Sequence, residues 1–264
     1  FWAEDKELFN SKNILVLEGD ITKDRLGLNR EQLELLASET EEIVHAAALT
    51  DLEGDVNVIQ NVNVGGTQNL LEIGYEFYKK RKLFKINYIS TIYVCGDYDG
   101  VFTEDDFDVG QDITIPYEKS KFNAEMMVRS YRRKGLWIDI FRLPAVVGES
   151  TTGKMLSFNQ SFYQALRILN LGIFECLPCK EINLNIVFVD EMSESIYRVT
   201  SGSLNKNCCY NIFNAHSLPV ENILLLACDF FNIKYPKFVY FNDFYDSITP
   251  AQSLLLKYNY AYIS

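Results

Sequence analysis

Apolar runs and helical periodicities alternate along the first half of the chain. Residues 14–20 and 42–48 are short apolar runs that end in small or acidic residues, as expected of buried parallel strands. Residues 55–79 place apolar side chains at three- and four-residue steps, which predicts a long amphipathic helix. Two more strands are predicted over residues 84–90 and 137–143.

The segments between these runs complete a strand–helix alternation. A short helix is predicted over residues 30–38. Residues 96–111 are rich in Gly and Asp and predict a loop, after which Pro116 suits a helical first turn and Gly135 a helical stop. This order predicts an α/β fold with a doubly wound parallel sheet.

The pattern changes after Gly148, where we expect a smaller mixed lobe. We interpret residues 1–150 as part of a dinucleotide-binding subdomain, and residues 151–264 as mainly a substrate-binding lobe with segments around 185–215 returning to the sheet. The predicted elements of the second half are a helix over residues 158–171, a strand over 185–189, a helix capped by Asp190, a strand over 210–213 and a helix over 221–231.

Composition and charge limit the function classes. The chain has 48% hydrophobic and 23% charged residues, which is typical of a globular protein, and its net charge of −11 disfavours nucleic acid as a partner. Basic runs at residues 79–85 and 129–134 coincide with predicted helix C-termini, where cations complement the helix dipole, although a docking patch for an acidic protein is an alternative.

Further sequence features bear on location and on metals. The sequence shows no signal peptide or long apolar run, so we expect no membrane association and a cytoplasmic location. Neither end carries a start signal or a completed tail, so we expect a piece of a longer polypeptide. Cys176-x-x-Cys179 has metal-ligand spacing but no second pair, so no metal site is expected.

A Tyr-x-x-x-Lys pattern supplies the candidate chemistry. It places a phenol and an ammonium on one helix face, where the ammonium is expected to lower the pKa of the phenol for proton transfer to a reduced carbonyl. The pattern occurs at Tyr75, Tyr78 and Tyr117. Only Tyr117 and Lys121 open a helix after a strand that ends in Ser90-Thr91, where a hydroxyl faces the ligand crevice.

The order of short motifs resembles the extended short-chain dehydrogenases, and within them the thioester reductase branch. The motifs are Gly19-Asp20-Ile21 with Arg25-Leu26-Gly27-Leu28, His45-Ala46-Ala47-Ala48, Asn63-Val64-Gly65-Gly66-Thr67, Ile89-Ser90-Thr91, Tyr117 to Lys121 and Arg142-Leu143-Pro144. The branch includes terminal reductase domains of nonribosomal peptide and polyketide synthetases, carboxylic acid reductases and fatty acyl-CoA reductases. The resemblance covers about residues 15–214 and implies a Rossmann-type sheet.

The resemblance also implies residue roles. Tyr117 would donate the proton, Lys121 would bind the cofactor ribose, and Thr91 would hold the substrate carbonyl. The remaining residues implied at the cofactor are Asp20 and Ile21 near the adenine, Ala46, Ala47 and Ser90 along it, Asn63 behind the strand end, and Leu143 and Pro144 beside the nicotinamide. The Gly-x-x-Gly-x-x-Gly phosphate turn of the family is absent from the sequence given, and we expect it upstream, together with the residues that separate NADP from NAD.

The function implied is reductive release of an acyl or peptidyl thioester from a carrier protein's phosphopantetheine arm, with NADPH as cofactor and NAD not excluded. An aldehyde, or after a second hydride an alcohol, would result. The alternatives are a stand-alone fatty acyl-CoA reductase, a sugar-nucleotide epimerase or dehydratase, and a non-catalytic Rossmann-like module.

Overall fold

The computed structural model describes residues 14–52, 54–80, 83–158, 160–202, 207–215, 217–244, 248–250 and 252. The helices are α1 (Arg30–Glu39), α2 (Val56–Gln60), α3 (Gly66–Lys79), α4 (Pro116–Arg133), α5 (Ser161–Leu169), α6 (Val189–Gly202), α7 (Val220–Phe231) and α8 (Phe241–Phe244). The strands are β1 (Glu42–His45), β2 (Lys85–Thr91), β3 (Ile138–Leu143), β4 (Ala145–Val147), β5 (Cys176–Leu177), β6 (Asn183–Leu184), β7 (Ile186–Phe188), β8 (Cys209–Asn211), β9 (Leu218–Pro219) and β10 (Lys237–Phe238).

A parallel sheet of order β1-β2-β3-β8 forms the centre of the fold. All six residues of β3 are buried, so its two charged residues, Asp139 and Arg142, lie in the interior together with its apolar residues. The register pairs Ser90 with Arg142 and Thr91 with Leu143, so the carboxyl ends of β2 and β3 finish together. The predicted α/β fold with a Rossmann-type parallel sheet is confirmed.

The two helices of the first half that matter for the site follow the predicted pattern. The long helix runs from α2 to α3 through a π-helical turn at Asn61–Gly65. Helix α4 begins at Pro116, and Gly135, with φ +92°, ends it in the left-handed region. The core between these helices and the sheet consists of Leu33, Leu71, Ile73, Phe77, Leu83, Ile86, Tyr88, Ala124, Val128, Tyr131, Leu136, Ile138 and Ile140.

The strand predicted over residues 14–20 is wrong for the structure. This segment is neither helix nor strand, and Ile14, Leu15 and Val16 are exposed. An apolar run predicts burial, but a strand also needs a neighbour with which to share backbone hydrogen bonds. None of the described strands pairs with this segment, and the backbone N–H of Asp20 donates instead to the carbonyl of Leu26 at 2.7 Å.

The second half contains the predicted helices and strands with shifted ends. Residues 186–188 pair with β4, whereas β8 joins the main sheet beside β3. Asp190 lies in the first turn of α6, and its carboxylate accepts from the backbone N–H (2.9 Å) and the hydroxyl (2.6 Å) of Ser150. Cys176 and Cys179 are buried in an apolar cluster with Phe174 and Cys228. Within the described part of the chain, none of the helices combines the length and apolar character that a membrane crossing requires.

Candidate active site

Thr91 ends β2 at the carboxyl edge of the sheet. Its hydroxyl donates to the carbonyl of Leu143 at 3.1 Å and accepts from the backbone N–H of Tyr93 at 3.3 Å. The first bond joins the ends of β2 and β3, the second holds the turn after β2, and Thr91 is almost completely buried. A hydroxyl hydrogen rotates at little cost, so the same group can turn its proton toward a substrate oxygen.

Tyr117 lies in the first turn of α4, and its phenol lies next to the side chain of Thr91. Burial raises the pKa of Tyr117, and the nearby Tyr93 and Glu118 raise it further. The expectation that Lys121 lowers this pKa is therefore wrong for the structure, since the ammonium binds elsewhere. The phenol consequently keeps its proton at neutral pH, which is the state that a proton donor requires.

Lys121 lies one turn further along the same face of α4. Its Nζ donates to the carbonyl of Ile89 at 2.7 Å and is 4.6 Å from the ring centroid of Tyr88. Burial lowers the pKa of Lys121 to about 8, and the charge of Glu125 opposes that change. The ammonium thus contacts a backbone carbonyl and a ring face below the carboxyl edge of the sheet. Because its pKa is lowered, it gives up its proton more easily than an ordinary lysine does.

Asn63 connects three segments around this group. Its side-chain amide donates to the carbonyl of Leu49 (2.9 Å) and to the hydroxyl of Ser120 (2.8 Å), and its carbonyl oxygen accepts from the N–H of Leu49 (2.7 Å). Ser120 in turn donates to the carbonyl of Tyr117 at 2.6 Å. The π-helical turn that contains Asn63 therefore fixes both the segment after β1 and the first turn of α4.

His45 is a buried polar residue next to this arrangement. Its Nε2 lies 2.9 Å from the hydroxyl of Thr67, and Thr67 donates its own proton to the carbonyl of Asn63 at 2.6 Å. The imidazole nitrogen must then be the donor. Burial and the charge of Lys121 lower the pKa of His45 to about 4, so the ring is neutral and acts as a fixed support.

The other residues predicted at the cofactor lie around the same edge, with one difference. Ala46 and Ala47 are exposed just after β1, whereas Leu143 and Pro144 are buried at the end of β3. The hydroxyl of Ser90 points into the interior and donates to Glu125 at 2.7 Å, so this proton is engaged away from the edge. Whether these residues contact a cofactor stays a prediction.

Asp20 and Ile21 lie on a turn that packs against the long helix. The carboxylate of Asp20 accepts from the backbone N–H (3.0 Å) and the hydroxyl (2.7 Å) of Thr22, and these bonds lower its pKa. The side chain of Ile21 approaches Gly66 so closely that a Cβ there would lie 2.8 Å from it. Ile21 is thereby held one helical turn from Asn63.

The donor set fits the nicotinamide and ribose half of a dinucleotide. A protonated phenol and an ammonium lie beneath the carboxyl ends of parallel strands, where this kind of sheet binds its ligands, and small side chains follow β1. Tyr117 and Lys121 would hold the reacting carbonyl and the ribose, and Ala46 and Ala47 would allow close approach of the cofactor.

Glu118 and Glu125 were missed by the sequence reasoning. Glu118 is half-buried beside Tyr117, and burial raises its pKa to about 7. Glu125 is completely buried. A signal for Glu125 was available, because Tyr117, Lys121, Glu125 and Arg129 recur at four-residue steps and must share one helix face.

The chain is similar to known proteins in sequence and in fold. A model of an NAD-binding family described as male sterility protein matches residues 1–196. A subunit of linear gramicidin synthase from Brevibacillus parabrevis is 24% identical over 216 residues, which are 80% of this chain and 4% of that protein. This chain therefore spans only a small part of that relative.

Two solved structures share the fold. One is the terminal R domain from the myxalamid PKS-NRPS biosynthetic pathway, with a TM-score of 0.77 and 21% identity over 94% of this chain and 61% of that one. The other is a thiolation-reductase di-domain from an archaeal non-ribosomal peptide synthetase, with a TM-score of 0.76 and 21% identity over 98% of this chain and 54% of that one.

These matches confirm the resemblance predicted from the motifs. The chain belongs to the NAD-binding family described as male sterility protein.

Proposed function

We propose that this domain is an NADPH-dependent reductase that releases a carrier-bound acyl or peptidyl thioester as an aldehyde. The observation that carries the proposal is the meeting of Thr91 and Tyr117 at the carboxyl edge of the sheet, with Lys121 fixed beneath them. A phenol that keeps its proton next to a second hydroxyl suits a carbonyl that gains negative charge on its oxygen.

The residues divide the chemistry between them. The nicotinamide, when bound, supplies a hydride to the carbonyl carbon of the thioester. Tyr117 donates its proton to the carbonyl oxygen, and Thr91 turns its hydroxyl to hydrogen-bond the same oxygen. The resulting hemithioacetal then loses its hydroxyl proton and its C–S bond, which yields the aldehyde, while the carrier's sulfur takes up a proton to become a free thiol.

Lys121 has a supporting role in this proposal. Its ammonium is bound to the carbonyl of Ile89, so the phenolate of Tyr117 takes up a new proton from water before another turnover. Lys121 would also donate to the ribose hydroxyls, because an ammonium has three donors and its hydrogen bond to Ile89 uses one of them.

The similar proteins support a carrier-bound substrate. They include part of a peptide synthase and a di-domain that joins thiolation to reduction. The aromatic residues of the second lobe give weaker support for an acyl chain. Phe158 is exposed and Tyr163 binds the backbone N–H of Gly148 at 2.8 Å, but Phe174 belongs to an apolar core.

The test is oxidation of NADPH by the full-length protein, followed by absorbance with an acyl-phosphopantetheine thioester on its carrier. We expect one NADPH to be consumed for each aldehyde and free thiol formed, and faster turnover with the carrier than with acyl-CoA. Preference for acyl-CoA would favour the stand-alone fatty acyl-CoA reductase.

Two other outcomes separate the remaining alternatives. Conversion of a sugar nucleotide without net loss of cofactor would identify an epimerase, because such enzymes regenerate their cofactor in each cycle. Binding of NADPH without turnover of either thioester would indicate a non-catalytic module. NADH in parallel reactions measures the cofactor preference.

A further inference from the structure

The loop between β2 and α4 is folded against the catalytic group at both of its ends. It leaves Thr91 through a 3-10 turn at Ile92–Cys95 and enters α4 just before Tyr117. Gln111 ties the loop to itself, because its side-chain amide donates to the carbonyls of Val94 (2.9 Å) and Phe107 (2.7 Å). Topology therefore places this loop as a wall beside the reacting groups.

The wall has a small apolar core of its own. Val94, Ile113 and Phe122 are buried together, and Phe102 and Phe107 pack against them. The rings of Phe107 and Phe122 are stacked with centroids 4.5 Å apart. Phe122 belongs to α4, so the loop is packed onto the helix that carries Tyr117 and Lys121.

A buried arginine holds this loop from below. Arg142 on β3 donates to the carbonyl of Thr103 at 3.2 Å and to the carbonyl of Asp106 at 2.8 Å, and its guanidinium lies 5.1 Å from the ring centroid of Phe102. The same guanidinium donates to Glu125 at 2.7 Å, and both side chains are completely buried. One residue thus connects the interior of α4 with the outer loop.

Glu125 carries the charge that keeps Arg142 in place. Its carboxylate accepts from Arg142, from Arg129 at 2.9 Å and from the hydroxyl of Ser90 at 2.7 Å. Arg129 in turn lies 4.5 Å from the ring of Phe107. The hydrogen bonds and the two cations lower the pKa of Glu125 in spite of its burial, so the carboxylate stays ionised.

We propose that Arg142, held by Glu125, is a positioning residue that fixes the loop of residues 102–107 as a preformed wall for the substrate. The proposal rests on the reductase function above. Tyr117 and Lys121 are held through Asn63, Ser120 and Ile89, and the hydrogen bonds that hold them do not involve Arg142. Loss of Arg142 should therefore weaken substrate binding and leave the proton-transfer step almost intact.

The experiment compares Arg142→Met with Arg132→Met. Arg132 is a matched control because it also donates to two backbone carbonyls beside the sheet, those of Ile138 (2.7 Å) and Cys208 (2.6 Å). Ile138 begins β3, whereas Arg142 lies near the end of that strand. Each variant is measured for hydrogen exchange of residues 102–107, and for KM and kcat with the carrier-bound thioester.

For Arg142→Met we expect at least about tenfold faster exchange in the loop and about tenfold higher KM, because both charge-assisted hydrogen bonds to the loop are lost, with kcat within about threefold. Arg132→Met should change neither loop exchange nor KM. Equal effects of both variants, or unchanged loop exchange in Arg142→Met, would overturn the proposal.

Arg142→Lys decides the question if Arg142→Met does not fold. It keeps a cation opposite Glu125, but a single amino group cannot reach Glu125 and both carbonyls as a guanidinium does. We expect the same changes with smaller size, and unchanged loop exchange would again contradict the proposal. Absence of any wild-type turnover would instead contradict the reductase function, since loop exchange is measured without substrate.

Discussion

Each half of α4 buries one charged side chain on the same helix face, but the groups that surround the two charges differ. Lys121 rests on one carbonyl and one ring face, and burial lowers its pKa to about 8. Glu125, one turn later, is surrounded by two arginines and a hydroxyl, and its pKa is lowered, so it stays charged. Burial shifts the pKa of a charged group toward the neutral form when no ion pair opposes it, so such a group can exchange a proton near neutral pH. An ion-paired group keeps its charge.

The largest loss of stability should come from breaking the ion pairs of Glu125, in the second half of α4. Glu125→Gln leaves Arg142 buried without a counter-charge, so we expect the free energy of unfolding in urea at pH 7 to fall by about 3–5 kcal/mol. Glu76→Gln is the matched control, because Glu76 pairs with Arg25 at 3.3 Å on the surface and should cost about 1 kcal/mol or less. Similar losses in both variants would remove the distinction between the two pairs.

Lys121, in the first half of α4, should make the free energy of unfolding depend on pH. Lys121 has a lower pKa in the folded chain than in the unfolded one, so the unfolded state binds the extra proton between about pH 8 and 10.5. Stability should therefore rise with pH in that window. Relative to Lys121→Met, the wild type should gain about 2 kcal/mol in free energy of unfolding between pH 7 and 9.5. Parallel pH curves for the two proteins would show that the pKa of Lys121 is not lowered.

A smaller loss of stability should come from removing the hydrogen bond that Ser90 donates to Glu125. Ser90→Ala removes one hydrogen bond to the charged Glu125 but leaves both arginines paired with it. We expect a loss of about 2 kcal/mol in free energy of unfolding, less than for Glu125→Gln. A loss as large as that of Glu125→Gln would mean that the hydroxyl, and not the charge balance, stabilises the interior.

The sequence predicted the elements that carry local signals. The continuous helix and α4 follow from periodicity and from Pro116 and Gly135, whereas β2 and β3 follow from short runs rich in apolar and aromatic residues. The selection of Tyr117 over Tyr75 and Tyr78 also needed only chain order. The ring of Tyr75 instead lies 4.8 Å from the ammonium of Lys79 at the end of α3.

The features that sequence reasoning missed depend on distant partners. Residues 14–20 have the composition of a strand, but pairing is decided by neighbours that a local pattern does not show. The ion pair of Glu125 and Arg142 joins residues 17 positions apart on a helix and a strand. Arg142 donates to the backbone carbonyls of Thr103 and Asp106. Every residue has a backbone carbonyl, so the sequence does not show which carbonyls an arginine will reach.

The most direct test of the central claim compares Tyr117→Phe with Tyr75→Phe. Both variants remove one hydroxyl from a Tyr-x-x-x-Lys pattern, but only Tyr117 lies against Thr91. We measure NADPH oxidation with the carrier-bound thioester and NADPH affinity by fluorescence. The account predicts that Tyr117→Phe lowers turnover by about a hundredfold or more with nearly unchanged affinity, and that Tyr75→Phe keeps wild-type turnover. Full turnover in Tyr117→Phe would contradict the assignment of Tyr117 as the proton donor.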